Sequence, residues 1–361
     1  MWFTSKLGET CKMYQPKTIT KKEMVTDGKY DVYGANGIIG KHNKYNHEEP
    51  QLLIGCRGTC GSVNVSTPFS WINGNSMVIQ PDTSKLSLNF MKYIFQGGID
   101  LSRAISGTAQ PQITAKSLNG ITFFYPPLEE QERIVAKLDA AFAEIDEAIK
   151  NINLKESKLD KFKSAIISDS YRGSGWDNER LGDCVSYEKN NAKGSSLPYV
   201  GMENIAPETM DLVGEVIIPE KTSSTFHFNK SHVLFGRLRP YLRKVLVPDF
   251  EGQCSTEIFC IKPKDKVIRE FLAYWLLEQS ISSKIEATST GARMPRANMN
   301  ALLEFDFPIP STKEQKKIIS KIDLTFTKIS EAKNTLAKSK TNYFSLKSAI
   351  LKQELQPKEV A

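Results

Sequence analysis

The chain has 361 residues, 40% hydrophobic and 25% charged, the mixture of an ordinary folded protein with room for two or three domains. No apolar run approaches the roughly 18 residues of a membrane span. The start, Met1-Trp2-Phe3-Thr4-Ser5-Lys6, lacks the basic-then-apolar pattern of a signal peptide, so a cytoplasmic chain without membrane association is expected. Formal charge is +7, spread as +5 over residues 1–125, −2 over 126–172, −2 over 173–310 and +6 over 311–361, a basicity compatible with nucleic acid without demonstrating it.

Residues 1–125 read as a first mixed α/β domain. Short apolar runs such as Gln51-Leu52-Leu53-Ile54 sit between Gly, Asn and Pro turns, and 90–95 predicts a helix. Its loops carry many hydrogen-bonding side chains: Tyr33, Asn36, Lys41, Arg57, Thr59, Asn75, Thr108, Gln110 and Gln112. Arginine reads guanine edges, Asn and Gln read adenine, and Lys holds phosphates, so these are candidate DNA contacts, although any one of them could equally be a turn residue or a solvated charge.

Residues 126–173 predict a long helix. Positions 134, 138, 141, 145, 148, 152, 155, 159, 162 and 166 alternate spacings of four and three, a heptad seam. Ile134, Leu138, Ile145, Ile152, Leu159, Phe162 and Ile166 are its apolar members and Lys155 its polar one. Pro126-Pro127 precedes the helix, and glycine stops it at Arg172-Gly173-Ser174-Gly175.

A second mixed α/β domain, 174–309, follows, with a predicted helix at 271–276 matching 90–95. Its candidate DNA contacts are Arg237, Arg239, Tyr241, Arg243 and Lys244, a dense basic cluster in an otherwise acidic domain, with Arg293, Arg296 and Asn298. Residues 310–356 predict the second long helix, with Ser311 as N-cap, before a tail at 357–361. Its seam holds Ile318, Ile322, Ile329, Leu336, Tyr343, Leu346 and Ile350, with Ser339 at the polar position.

The two halves repeat one another. At an offset of 184, Gln131, Ile134, Lys137, Leu138, Asp139 and Phe142 fall on Gln315, Ile318, Lys321, Ile322, Asp323 and Phe326, and the offset holds for about 60 residues. Further upstream it drifts to 181 and then 174. Two long helices in one chain most simply pair with each other, and an antiparallel pairing would hold the domains at opposite ends as a spacer does. A second stripe (Val135, Phe142, Ile149; Ile319, Phe326) is either further packing between the helices or a docking face for partner subunits.

Catalytic motifs are missing. There is no Asn-Pro-Pro-aromatic tetrad and no P-loop lysine motif. The flanks of Gly34-x2-Gly37-x2-Gly40 show no apolar strand opening into a helix. The Glu-x-Lys triplets that follow Pro81-Asp82 and Pro248-Asp249 lie more than 60 residues on. The six cysteines and four histidines fall at no zinc spacing. A non-catalytic chain with no metal or cofactor of its own is expected.

The opening Pro126-Pro127-Leu128-Glu129-Glu130-Gln131-Glu132-Arg133-Ile134-Val135 resembles that of the helices in the specificity (S) subunit of type I restriction-modification systems. Tyr33-Gly34-Ala35-Asn36-Gly37-Ile38-Ile39-Gly40 and Gly107-Thr108-Ala109-Gln110-Pro111-Gln112-Ile113 resemble segments of its target recognition domains. The resemblance implies two α/β (mixed α+β) domains alternating with two long helices that pair as an antiparallel coiled coil, a pseudo-twofold repeat. It implies that each domain reads one half of a bipartite double-stranded DNA target. The helices would set the gap and dock two methyltransferase (M) subunits, which carry S-adenosylmethionine, and restriction (R) subunits would join for cleavage. The second helix opens differently, with Ser311-Thr312-Lys313-Glu314-Gln315-Lys316-Lys317, and Met294-Pro295-Arg296 replaces Gln110-Pro111-Gln112, so the halves should read different bases. The alternatives are a coiled-coil scaffold with protein-binding end domains and the recognition subunit of a fused nuclease-methylase.

Overall fold

The computed structural model describes residues 1–107, 111–173, 175–220, 224–291 and 293–357. It divides into two compact units, Met1–Ile152 with Ala337–Ala361, and Asn153–Leu336. Each contains one globular domain and a part of each long helix, Leu128–Ser170 and Thr312–Glu354.

In the first unit a four-stranded antiparallel sheet runs in the order Cys11–Tyr14, Ser76–Pro81, Leu52–Gly55, Val63–Val65. Strand side chains alternate between faces, and here both faces are covered. Leu52, Ile54, Met77 and Ile79 pack beneath the helix Leu88–Tyr93 with Phe90 and Met91. Leu53 and Val78 point the other way, onto Tyr33 and Ile72 of a three-stranded sheet. This explains why the run at 52–54 is apolar without interruption.

The second unit repeats the plan with Val185–Glu188, Ile258–Pro263, Val233–Gly236 and Val245–Leu246. Val233, Phe235, Phe259 and Ile261 face the helix Arg269–Leu277, while Leu234, Ile258 and Cys260 face Val200, Phe228 and Cys254. The small sheets are wired differently. In the first unit Tyr30–Gly34 is central, in a hairpin with Gly37–His42 and parallel to Trp71–Ile72. In the second, Gly252–Ser255 is central, parallel to Tyr199–Val200 and antiparallel to Thr225–Phe228. The offset between halves drifts upstream because a tight hairpin in one domain is replaced by a long excursion in the other.

Each long helix is bolted to its own domain by the residues that repeat. Gln131 is fully buried; its side-chain amide donates to Lys85 O (2.7 Å) and Pro126 O (2.8 Å), and its oxygen accepts from Ser87 N (2.9 Å). Gln315 does the same with Lys266 O (2.8 Å), Pro310 O (3.0 Å) and Ile268 N (2.9 Å). Tyr93 donates its hydroxyl to Asp139, and Tyr274 to Asp323. Burial, reinforced by the carboxylate, pushes both phenols far above their ordinary range, so they remain donors at any physiological pH. The stripe residues Phe142 and Phe326 lie edge-on against Tyr93 and Tyr274, at 5.6 and 5.7 Å. Those two phenylalanines therefore rest on their own domain, and Lys347 and Lys163 of the facing helix lie over their rings at 4.9 and 4.6 Å, as the helix-packing reading of the stripe expects.

Within each unit the helix segments are antiparallel. Lys137 meets Glu354 at 2.7 Å and Asp146 meets Lys347 at 2.5 Å in the first unit, and Asp160 meets Lys333 in the second. Ile134, Leu138, Ile145 and Ile152, with Ile318, Ile322 and Ile329, are buried along the expected seam, and Leu159, Ile166, Leu336, Tyr343 and Ile350 are half-buried. Two residues, given as helix–helix or partner-interface positions, lie off the packed seam, which leaves only the partner alternative for them: Phe162 is 52% exposed and Leu346 46%. Ile167, and Leu351 with Leu355, are buried instead. A straight helix drifts about 20° per heptad against a strict seven-residue repeat, so four heptads accumulate about 80°, nearly the 100° between neighbouring residues. The packed face has moved on by one position.

Among the described residues no helix is long and apolar enough to cross a membrane, and no group of three or more His, Cys, Asp or Glu is placed to hold a metal ion.

Candidate nucleic-acid interface

The first unit gathers four loops at one end of its main sheet. Ser62 donates its hydroxyl to Ala35 O, Cys60 Sγ to Pro111 O (2.9 Å), and Cys56 N to Asn75 O (3.0 Å). Ile113 N donates to Cys56 O at 3.0 Å, and Arg57 bridges Gln112. Asn36, Arg57, Thr59, Asn75 and Gln112 therefore belong to one connected, exposed loop cluster. Burial raises the Cys56 thiol above its ordinary range, against the opposing pull of the Gln15 hydrogen bond and the Arg57 charge.

The second unit holds its loops by the same lock. Ala297 N donates to Arg237 O at 2.8 Å and Leu238 bridges Arg296, at positions equivalent to Ile113, Cys56, Arg57 and Gln112. Arg239 N donates to Pro295 O at 2.8 Å, tying the arginine loop to the 290–297 segment. Gly107 and Gly291, at corresponding positions, have φ of +86° and +91°, conformations that glycine adopts without a Cβ penalty. One framework thus displays Arg57 and Gln112 in the first unit, and Leu238 and Arg296 in the second.

The candidates separate by partner. Arg239, Tyr241 and Arg293 are exposed, with no side-chain hydrogen bond or ion pair among the described residues. Arg239 sits at φ 52°, ψ 63°, a left-handed conformation that costs a non-glycine residue of order 1 kcal/mol or more. Strain of that kind persists where the surroundings impose it, here because the backbone is held to Pro295. Arg237 is half-buried, its guanidinium 5.5 Å from the Phe259 ring centre and its Nε 3.8 Å from Glu257.

Five candidates are corrected by their surroundings. Tyr33 is 5% exposed and lies in the core, its hydroxyl accepting from Thr67 N at 3.1 Å. Arg243 is 9% exposed; it donates to Leu277 O at the end of the helix Arg269–Leu277 (3.1 Å) and pairs with Glu208 (2.5 Å). Lys244 gives its ammonium to Met202 O at 2.5 Å. Asn298 caps the helix Met299–Leu303, accepting from Asn300 N (3.0 Å) and Ala301 N (3.4 Å). Arg296 is held by Glu257 through Nε at 3.0 and 3.1 Å; these bonds and the adjacent charge raise its already high pKa. Burial or a fixed partner is the reason in each case, since such a group would have to break existing bonds to reach DNA. Lys41 lies outside the first loop cluster, paired with Asp31 at 3.3 Å, a half-exposed pair of small energetic weight. Thr108 and Gln110 lie outside the described residues.

Sequence reasoning missed Tyr187 and Lys189, which line a recess beside Arg237. The local signal was slight, a Lys-Asn-Asn run after a short strand. Only pairing of that strand with Ile258–Pro263 brings it to the arginine loop.

The chain matches the family model of the type I restriction modification DNA specificity domain over residues 1–155 and again over 174–347. It is 22% identical over 366 residues to the type I restriction enzyme EcoDI specificity subunit of Escherichia coli, covering 90% of this chain and 81% of that one. It is 26% identical over 146 residues to the StySPI specificity subunit of Salmonella potsdam, covering 37% and 31%. Its fold is similar to that of a chain solved in work on complex assembly and conformational transition of the type I R-M system, with a TM-score of 0.75 at 17% identity, covering 98% and 97% of the two chains. The HsdS subunit from Thermoanaerobacter tengcongensis follows with a TM-score of 0.55 at 16% identity, covering 98% and 96%.

Proposed function

The chain belongs to the family of type I restriction-modification DNA specificity proteins, and on that premise we propose that each globular domain reads one half of a split double-stranded DNA target. The observation that carries this is the shared loop lock with different side chains on it: exposed Arg57 and Gln112 in one unit, and Leu238 followed by exposed Arg239 and Tyr241 in the other. Equal frameworks place both reading edges alike on the duplex, and unequal chemistry reads different bases. The chain binds and does not catalyse. Two methyltransferase subunits dock on the long helices and bring S-adenosylmethionine, and restriction subunits join for cleavage. Support for docking comes from the large apolar side chains that both helices leave exposed, Leu154 and Phe162 on one, Leu324, Phe344 and Leu346 on the other.

Sequencing of methylated bases in a host carrying this chain with its methyltransferase tests the reading. A split motif is expected, and exchanging residues 174–309 for the corresponding domain of another family member should change one half and leave the other. A continuous motif, or a change in both halves, would overturn it. The helices act as the ruler. Seven residues inserted into each helix at matched seam positions add about 10 Å at 1.5 Å per residue, or about three base pairs of gap. The same sequencing should show the gap lengthened and the bases unchanged; altered bases with an unchanged gap would count against the ruler.

A further inference from the structure

The recess beside Arg237 has a volume of about 230 Å³, several times the roughly 30 Å³ a water occupies in the liquid. Tyr187, Lys189, Arg237, Phe259, Thr290 and Asn300 line it. The Arg237 guanidinium carbon lies 5.5 Å from the Phe259 ring centre, Lys189 Nζ is 4.7 Å from the Tyr187 ring centre, and Arg237 Nε is buried without a hydrogen bond. Glu257, the acid nearest to Arg237, is already gripped through three contacts by Arg296, the shortest 2.9 Å. Arg237, whose side chain is 36% exposed, and Lys189 therefore leave net positive charge beside a concave polar space.

Among the described residues of the first unit, the positions equivalent to Arg237 and Lys189 hold other side chains. Strand pairing and the loop lock set Cys56 where the second unit has Arg237, and Gln15 where it has Lys189. Cys56 is fully buried, accepts from Gln15 Nε2 at 2.8 Å and donates to Asn75 O at 3.1 Å. Neither Cys56 nor Gln15 carries a charge there, and the arginine of that corner is the next residue, Arg57, which is exposed.

We propose that the Arg237–Lys189 recess of the second domain is a phosphate seat, holding a backbone phosphodiester of the second DNA half-site, and that the first domain lacks one. This rests on the DNA-reading function proposed above. A guanidinium and a neighbouring ammonium form charge-assisted bonds to a phosphate oxygen, and the Phe259 ring beside the guanidinium limits the directions it can take. Such a contact orients the domain on the duplex without reading a base. The two halves then differ in salt sensitivity as well as in sequence.

The test uses the complex with its methyltransferase and a duplex carrying the split motif, with binding measured across a salt series. Arg237→Gln should weaken binding about tenfold and make the log–log salt slope shallower by about one, whatever the bases of the second half. Arg237→Lys, which keeps the charge, should retain the slope, and Lys189→Ala should make it shallower again. Methylphosphonates in the second half-site should erase the difference between wild type and Arg237→Gln, and those in the first should not. Wild-type binding with an unchanged slope in Arg237→Gln overturns the seat alone. So does an altered second half-motif at an unchanged slope, which would make Arg237 a base reader. A wild-type complex that binds no split duplex overturns the DNA reading itself.

Discussion

Gln315→Leu is expected to destabilise the second unit by about 3 kcal/mol, and Gln131→Leu the first unit by a similar amount. Each side chain is fully buried and makes three hydrogen bonds to backbone groups of its own domain. Leucine fills a comparable volume but strands two carbonyls and one amide, and an unsatisfied buried group costs about 1–3 kcal/mol. The sum is held below the maximum because part of each segment can turn to water. Denaturant unfolding should show a lower midpoint at an unchanged slope. Glu at the same site accepts from the amide but, once ionised, faces two carbonyls with no proton to give. Its pKa in the folded state should be raised, so Gln315→Glu loses stability as pH climbs through that raised value and keeps more of it in acid. A loss below 1 kcal/mol in both Leu variants would mean that these glutamines do not bolt helix to domain.

Arg239 and Arg243, four residues apart in one basic cluster, should behave oppositely. Arg243→Ala removes a buried guanidinium, orphans Leu277 O at a helix end and leaves Glu208 unpaired. Since Glu208 is itself 60% exposed, its share is small, and a loss of about 2 kcal/mol of stability is expected, mostly from the carbonyl. Arg239→Ala touches no side-chain partner among the described residues and should leave stability within about 0.5 kcal/mol. It should instead weaken binding of the split duplex by about 1–3 kcal/mol, roughly 5- to 150-fold. Arg239→Gly should raise stability by about 1 kcal/mol, because glycine tolerates φ 52°, while losing the same affinity. Unfolding curves and duplex titrations on the three variants decide it. An Arg239→Ala protein that unfolds early and binds normally would reverse the two roles.

Much of the architecture was legible because it is periodic. The seam from Ile134 to Ile152 and its copy from Ile318 to Ile329 pack as their spacing says, and Gln131, Asp139 and Phe142 recur as Gln315, Asp323 and Phe326 because both sets perform the same bolting task. Legibility ended where a small geometric error accumulates. Phe162 and Leu346 keep the heptad phase but lie beyond the point where a 3.6-residue turn has carried the packed face past them. The candidate site was legible as a set of loops and not as a set of contacts. Arg237, Arg239 and Arg243 are alike in type and spacing, yet one lies over Phe259, one faces solvent and one is buried against Leu277 O.

By itself, then, the sequence determined the duplication, the two long helices and the polar loops proposed to read DNA, since these depend on spacing and turn chemistry between neighbours in the chain. The tertiary structure decided which side chains remain available. Strands that pair across dozens of residues bring Tyr187 and Lys189 to Arg237, Gln15 to Cys56, and Glu257 to Arg296. A charged group's freedom to bind DNA depends on whether such a distant partner already holds it, and only folding brings the partner into reach.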